Sequence, residues 1–321
     1  MLPLIALEEH FAAKPNFATN RGHDFYKSAY STFYEKLTSF GGARLNDMDI
    51  GKTTLQVVSY TPIHLTVDEC RIGNIHLSEG VKSNPARFAG FACLPMSDVT
   101  EAVAELTHCV KDFKFVGALI PNHLHGEFYD DEKFWPIFER AQELDVPIYL
   151  HPTFPSDDLT VLQYTGNFSE TASKQLGMYG LGWHSQVALH ILRLFASGLF
   201  DRYPRLKIIV GHMGEMLPFQ LDRILRFSDS WGNYKRGLRE VWDSNIWITT
   251  AGMFSLAPMA CLLRTTKIER ILYSVDFPFA PHELGLKFME DLQESGLVSD
   301  DDFAAIAYKN AEKLLKIKLQ L

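Results

Sequence analysis

Eight short runs of aliphatic, β-branched and aromatic residues recur along this chain, and segments with helical spacing fill most of the gaps between them. The runs are Leu4 to Leu7, Leu55 to Ser59, Phe88 to Leu94, Phe115 to Ile120, Val146 to Leu150, Lys207 to Val210, Ile246 to Thr250 and Arg270 to Val275. Each has strand length, and several are apolar on both faces, as parallel strands covered by helices must be. The intervening segments include Asp98 to Asp112, Asp131 to Leu144, His184 to Phe200 and Glu215 to Phe227. Their apolar residues repeat at helical spacing, and Asp98 and Thr100 stand where N-caps would. Eight such alternations predict a (β/α)8 barrel, also called a TIM barrel. The rival layout is an open doubly wound sheet, which places a glycine-rich phosphate loop after its first strand. Here that strand runs into Glu8-Glu9-His10-Phe11, with neither GxGxxG nor a P-loop, so the barrel is expected.

The length suits one barrel. Residues 1–321 are expected to form a single domain, with long loops at about 12–53 and 152–183. Long loops on the C-terminal face of a barrel build substrate pockets or subunit contacts. Asp300 to Lys318 reads as a closing helix with three aspartates at its positive end. Lys+Arg 31 against Asp+Glu 39 leaves a net charge of -8, which offers nucleic acid no basic surface and argues against an anionic membrane. No stretch reaches the ~20 apolar residues of a membrane span. The four cysteines, Cys70, Cys93, Cys109 and Cys261, form no CxxC and are expected to be buried thiols. The expectation is a cytoplasmic enzyme of small molecules.

Catalytic side chains of such barrels come from the C-terminal ends of strands. Those ends carry Glu8 and His10, His151, His212 and Asp276. Imidazole nitrogen and carboxylate oxygen together suit Zn²⁺, Mn²⁺ or Fe²⁺ and also admit Mg²⁺. Glu8 and His10 are two apart on a strand and so share its inward side. With His151 and Asp276 they make a four-ligand set. Glu9 faces the other way and reads as a partner in the shell behind the strand. His64, His123 and His125 read as loop histidines, with His123 the best placed of them for substrate.

In Val210-Gly211-His212-Met213-Gly214-Glu215, two glycines allow a sharp turn that projects His212 into the mouth. Glu215, expected on the first helical turn, could accept a hydrogen bond from it and complete a proton-handling pair. The same carboxylate could instead serve the helix dipole. Arg223, two turns further on, could reach a substrate carboxylate or only form an ion pair on the rim. Phe11, Phe154 and Trp183 are aromatics beside the ligand positions that could wall a flat pocket or simply be core.

Several stretches then resemble a known family. Ala6-Leu7-Glu8-Glu9-His10-Phe11 is similar to the opening of the ACMSD-like, amidohydrolase-related decarboxylases. Asp145 to Pro152 resembles their strand-five motif, and Gly211-His212-Met213-Gly214-Glu215 their strand-six motif. Phe200-Asp201-Arg202-Tyr203-Pro204 and Arg270 to Pro278 also fit, so the likeness spans nearly the whole chain. It points to the 2,6- and 2,3-dihydroxybenzoate decarboxylase branch (gamma-resorcylate and o-pyrocatechuate). The resemblance implies reversible, non-oxidative decarboxylation of ortho-hydroxybenzoates with one divalent metal, in a homodimer or homotetramer. It implies metal ligation by Glu8, His10, His151 and Asp276, proton handling by His212 and Glu215, and a pocket arginine at Arg223. The stretch Pro121 to Asp130 is shorter than that branch suggests, and the 152–183 segment is the chain's own. Asp276 is the expected proton donor, which requires a raised pKa. A bound metal pushes the other way, and the other source is a proton from water or from the substrate. The alternative is a metal-dependent hydrolase of a lactone or amide, and a third possibility is a catalytically silent scaffold.

Overall fold

The computed structural model describes residues 2–24 and 33–319. Its eight strands are β1 (Leu4–Phe11), β2 (Thr53–Tyr60), β3 (Phe88–Ala92), β4 (Gly117–Pro121), β5 (Ile148–His151), β6 (Ile208–Val210), β7 (Ile246–Thr249) and β8 (Ile271–Leu272). They pair in sequence order, every pair parallel. A parallel bridge between Glu9 and Phe277 brings the last turn back to β1. Helices separate successive strands, which makes the sheet a (β/α)8 barrel.

Two apolar layers hold this arrangement. Leu4, Ala6, Val58, Ile148 and Ile208 face outward onto the helices. Ile5, Leu7, Leu55, Val57, Phe91, Leu119, Ile209 and Leu272 fill the barrel itself. Strands buried on both faces explain why the apolar runs alternate so little with polar residues. The closing helical segment from Asp300 to Leu315 passes through a wide turn at Ala305–Lys309. Its Ala311, Leu314 and Leu315 cap the barrel interior. Its start is a capping box in which Ser299 and Asp302 satisfy each other's backbone N–H.

Three expectations need correction. β1 runs four residues beyond Leu7, to Phe11. β8 stops at Leu272, because the next backbone groups find other partners: Tyr273 N–H bonds Ile306 O, and Ser274 N–H bonds Thr250 Oγ1. The long connections are not bare loops. The first holds helices Lys14–Thr19, Tyr34–Thr38 and Gly42–Ile50, although its residues 25–32 lie outside the described residues. The second holds Asp157–Leu159, Thr160–Tyr164 and Glu170–Gly177. Serine caps at Ser156 and Ser169 start two of these helices.

Candidate metal centre and active site

The mouth of the barrel begins with an irregularity in β1. Its register with β2 shifts between Ala6 and Glu9, so Leu7 and Glu8, neighbours in sequence, both point into the barrel. Both of their N–H groups donate to the Ser274 hydroxyl, at 3.2 and 2.6 Å, and that hydroxyl donates in turn to Glu9 Oε1 at 3.4 Å. Bulges of this kind re-aim side chains at functional sites. Beyond the shift, Glu8 and His10 face the interior, whereas Glu9 and Phe11 face the helices. Glu9 is fully buried there, accepting from Val275 N–H at 3.0 Å and Gln56 Nε2 at 3.3 Å. Burial pushes its carboxyl well above the usual range. Phe11 packs on Phe40 and Tyr60 and is core rather than pocket wall.

The ends of β5 and β8 bring His151 and Asp276 to the same place. His151 Nε2 lies 2.8 Å from Glu8 Oε1, and His10 Nε2 lies 3.3 Å from Asp276 Oδ1. One ligand atom from each of the four residues lies within 4.8 Å of the others. Glu8 Oε1, His10 Nε2, His151 Nε2 and Asp276 Oδ1 are all buried without a properly aligned hydrogen-bond partner. Buried polar atoms are otherwise satisfied, so four orphans aimed at one point fit a metal ion. The atoms behind them fit as well. His151 Nδ1–H donates to Pro152 O at 2.7 Å, leaving the Nε2 lone pair free, and His10 Nδ1 meets Ser59 Oγ at 3.3 Å. The Tyr149 hydroxyl donates to Glu8 Oε2.

Behind this cluster stands His212, but not on a helix. His212, Met213, Gly214, Glu215 and Met216 all have left-handed backbone angles, with φ from 47° to 87°, and the regular helix is Leu217–Ser228. The expected helical turn at Glu215 is therefore a tight left-handed turn. Gly211 precedes it because a Cβ there would stand 2.7 Å from Glu8 Oε2. The turn places His212 Nδ1 2.7 Å from Glu215 Oε1, and His212 Nε2 3.6 Å from Glu8 Oε1 and 3.9 Å from Asp276 Oδ2. Glu215 also meets His184 Nδ1 through its second oxygen, at 2.6 Å.

These distances set the charges. Burial works against the Glu215 carboxylate, but His212 and His184 outweigh it and hold that group at about 2. Burial likewise opposes charge on His212, yet Glu215 and Glu8 keep its imidazolium well above the ordinary range. Asp276 departs from expectation. Burial alone would raise it, but His10 and His212 hold it well below the usual carboxylate range. The hydrogen bonds and charge that His10 and His212 offer this carboxylate outweigh its desolvation, so without a metal its pKa shifts down rather than up.

Comparison with known proteins follows the same lines. Residues 53–317 match the amidohydrolase family. The chain belongs to that family. Within it, the chain is 46% identical to Decarboxylase orsB of Emericella nidulans, over 99% of this chain and 98% of that protein. Its fold matches a 2,6-dihydroxybenzoate decarboxylase solved with 2,6-dihydroxybenzoate (TM-score 0.82, 30% identity, 99% and 100% of the two chains). It also matches the dihydroxybenzoic acid decarboxylase of Polaromonas sp. JS666, solved with manganese and the inhibitor 2-nitroresorcinol (TM-score 0.84, 31% identity, 98% and 97% covered).

Other residues singled out in the sequence of this amidohydrolase fall in different places. His123 and Phe154 line a cleft of about 610 Å³ at the mouth, together with His64, His125 and Thr153. His123 Nδ1 accepts the Gly126 N–H at 3.0 Å. Trp183 packs edge-on against Phe154, with ring centroids 5.7 Å apart. Arg223 joins none of them: it is exposed on the outer helix with its guanidinium over the Phe227 ring. Tyr149 and His184 were missed. Tyr149 was findable, standing two residues before His151 on the same side of the strand. His184 had no local signal, since its partner lies 31 residues away.

Proposed function

We propose that this chain is a metal-dependent, non-oxidative and reversible decarboxylase of ortho-hydroxybenzoates of the dihydroxybenzoate or salicylate type. The observation that carries this reading is the set of four orphaned ligand atoms beside a histidine that a buried carboxylate keeps protonated. Glu8, His10, His151 and Asp276 would hold a divalent ion, which would supply Lewis-acid charge and a template for an anionic aromatic substrate. Zn²⁺ and Mn²⁺ are the first candidates and Mg²⁺ is admitted by the same donors; the manganese of the Polaromonas enzyme favours Mn²⁺.

The reaction must put a proton on the ring carbon before the carbon–carbon bond breaks, because direct loss of CO2 would leave an aryl carbanion. The ortho-hydroxyl supplies the electron density for that protonation. His212 holds the proton on the side facing Asp276 Oδ2, and Glu215 fixes its other nitrogen. In this reading Asp276 delivers the proton to the ring carbon and is replenished from the His212 side, with a water- or substrate-derived proton as the alternative source. Loss of CO2 restores aromaticity. Phe154 and His123 line the cleft, and Trp183 packs on Phe154; in this reading they offer walls for a flat ring.

The reading places one barrel enzyme in the cytoplasm, where its four free cysteines, three of them buried, stay reduced. No helix among the described residues is long and apolar enough to cross a membrane. The reading includes a homodimer or homotetramer, whose contacts would cover exposed apolar side chains such as Val161, Leu162 and Phe219. The deciding experiment is CO2 release from 2,6-dihydroxybenzoate, 2,3-dihydroxybenzoate and salicylate by the metal-loaded protein, with elemental analysis. Release from none of the three, together with lactone hydrolysis, would overturn the proposal in favour of a hydrolase. His151→Ala should lose bound metal while remaining folded; full metal retention would remove His151 from the ligand set.

A further inference from the structure

Glu215 is held by two imidazoles, and only one of them faces the metal ligands. His212 Nδ1 lies 2.7 Å from Oε1, and His184 Nδ1 lies 2.6 Å from Oε2. The two rings stand 4.8 Å apart at 63°. His184 is fastened on its far side too, where Nε2–H donates to Tyr179 O at 3.1 Å. It sits in the first turn of the 15-residue helix Gly182–Ala196, a rigid element. Glu215 has no such support, because it belongs to a left-handed turn rather than a helix. The last torsion of a glutamate is broad and roughly two-fold, so a single bond to His212 would leave its second oxygen free to swing.

From this arrangement we propose that His184 is a positioning residue for the proton-handling pair. It anchors Glu215 Oε2, thereby aims Oε1 at His212 Nδ1, and so fixes the direction in which His212 Nε2 points. This role rests on the decarboxylase reading for its consequence in turnover, but the geometry it asserts can be read without turnover. Positioning through an outer partner of a reacting group typically carries 10–100-fold of activity.

The test uses the metal-loaded wild type with His184→Ala and His184→Asn. An asparagine places an amide nitrogen close to where the imidazole Nδ1 lies, so it keeps the donor to Glu215 without the ring. His184→Ala should lower kcat for CO2 release by about 10–100-fold, with KM and metal content near wild type. His184→Asn should recover most of kcat. Low-field proton NMR of the substrate-free proteins gives the independent readout. Wild type should show two strongly deshielded N–H signals, one for each imidazole on Glu215. His184→Asn should keep the His212 signal, and His184→Ala should broaden or lose it. Wild-type kcat in His184→Ala, or an unchanged His212 signal there, would overturn the proposal. If His184→Ala does not fold, His184→Phe, which keeps a ring and removes the donor, takes its place, and an unchanged His212 signal there would overturn the proposal. If the wild type releases no CO2 from any hydroxybenzoate, the decarboxylase reading fails, and the NMR comparison still decides the role of His184.

Discussion

The Tyr149 hydroxyl donates to Glu8 Oε2 and meets Thr249 Oγ1 at 2.8 Å, so one oxygen of Glu8 is spoken for and the other is left for the metal. Burial and the neighbouring Glu8 push the Tyr149 phenol well above its usual range, so it stays a donor throughout the neutral region. Orienting partners of metal ligands commonly matter by 10–100-fold in affinity. Tyr149→Phe removes one oxygen and little volume. It should weaken metal binding by about that factor, read by competition with a chromophoric chelator, and leave the fold intact. Unchanged affinity would mean that Thr249, whose hydroxyl lies 3.4 Å from the same oxygen, orients Glu8 alone. The convergence of side chains was legible where they ended a strand or followed it closely, as with His151 at the end of β5 and Asp276 four residues past β8. It was illegible where the partner was brought in by folding: nothing near His184 in sequence announces Glu215.

At the scale of elements, β1 shows where pattern reading reaches its limit. Strict alternation lets Leu7 or Glu8 face the barrel, but not both, yet Leu7 belongs to the interior cluster and Glu8 to the site. The shift that reconciles them is held by Ser274, which lies 266 residues further along the chain than Glu8. That Glu8 and His10 share one side was therefore readable from their spacing, whereas the device that turns them inward was not. The turn from His212 to Met216 was hidden for another reason. The apolar spacing of Leu217, Leu221 and Ile224 extends smoothly back toward Glu215, and periodicity carries no information about the sign of φ. Ser274→Ala tests the shift in β1. It leaves the buried N–H groups of Leu7 and Glu8 without their acceptor, at a cost of about 2 kcal/mol, measured by urea unfolding of the metal-loaded protein. Metal affinity should fall in parallel, because Glu8 loses its aim. A loss of stability with unaltered affinity would show that the shift in β1 persists without Ser274.

The whole molecule was the most legible level, since eight two-sided apolar runs admit few closures other than a barrel. Its response to acid depends on buried imidazoles that no sequence pattern distinguishes from surface ones. His190 accepts the Tyr129 N–H at Nε2 and meets Asn122 Oδ1 through Nδ1, both at 3.0 Å, so a second proton would break the Tyr129 bond. His282 accepts Gln56 Nε2–H at 2.7 Å and meets Thr53 Oγ1 at 3.0 Å. Burial holds His190 and His282 at about 3, and burial with neighbouring imidazoles holds His64 and His123 at about 4. An unfolded histidine titrates near 6.5. Between about pH 6.5 and 4 the unfolded chain therefore binds more protons than the native one at these positions. Their contribution to stability is complete above pH 6.5 and is lost as pH falls toward the folded values. Glu215, held at about 2, adds to the loss below pH 4.5. Glu9 acts in the opposite sense, because its raised carboxyl favours the fold at low pH and loses that advantage as pH rises. Each proton withheld by the native state steepens the slope by about 1.4 kcal/mol per pH unit. Urea midpoints should accordingly fall from pH 7 to pH 5. His190→Gln, whose amide oxygen can take over the Tyr129 N–H, should fall less steeply, by up to one proton. Metal release at low pH is common to both proteins and cancels in the comparison. Parallel slopes for the two would show that His190 is already protonated in the native barrel.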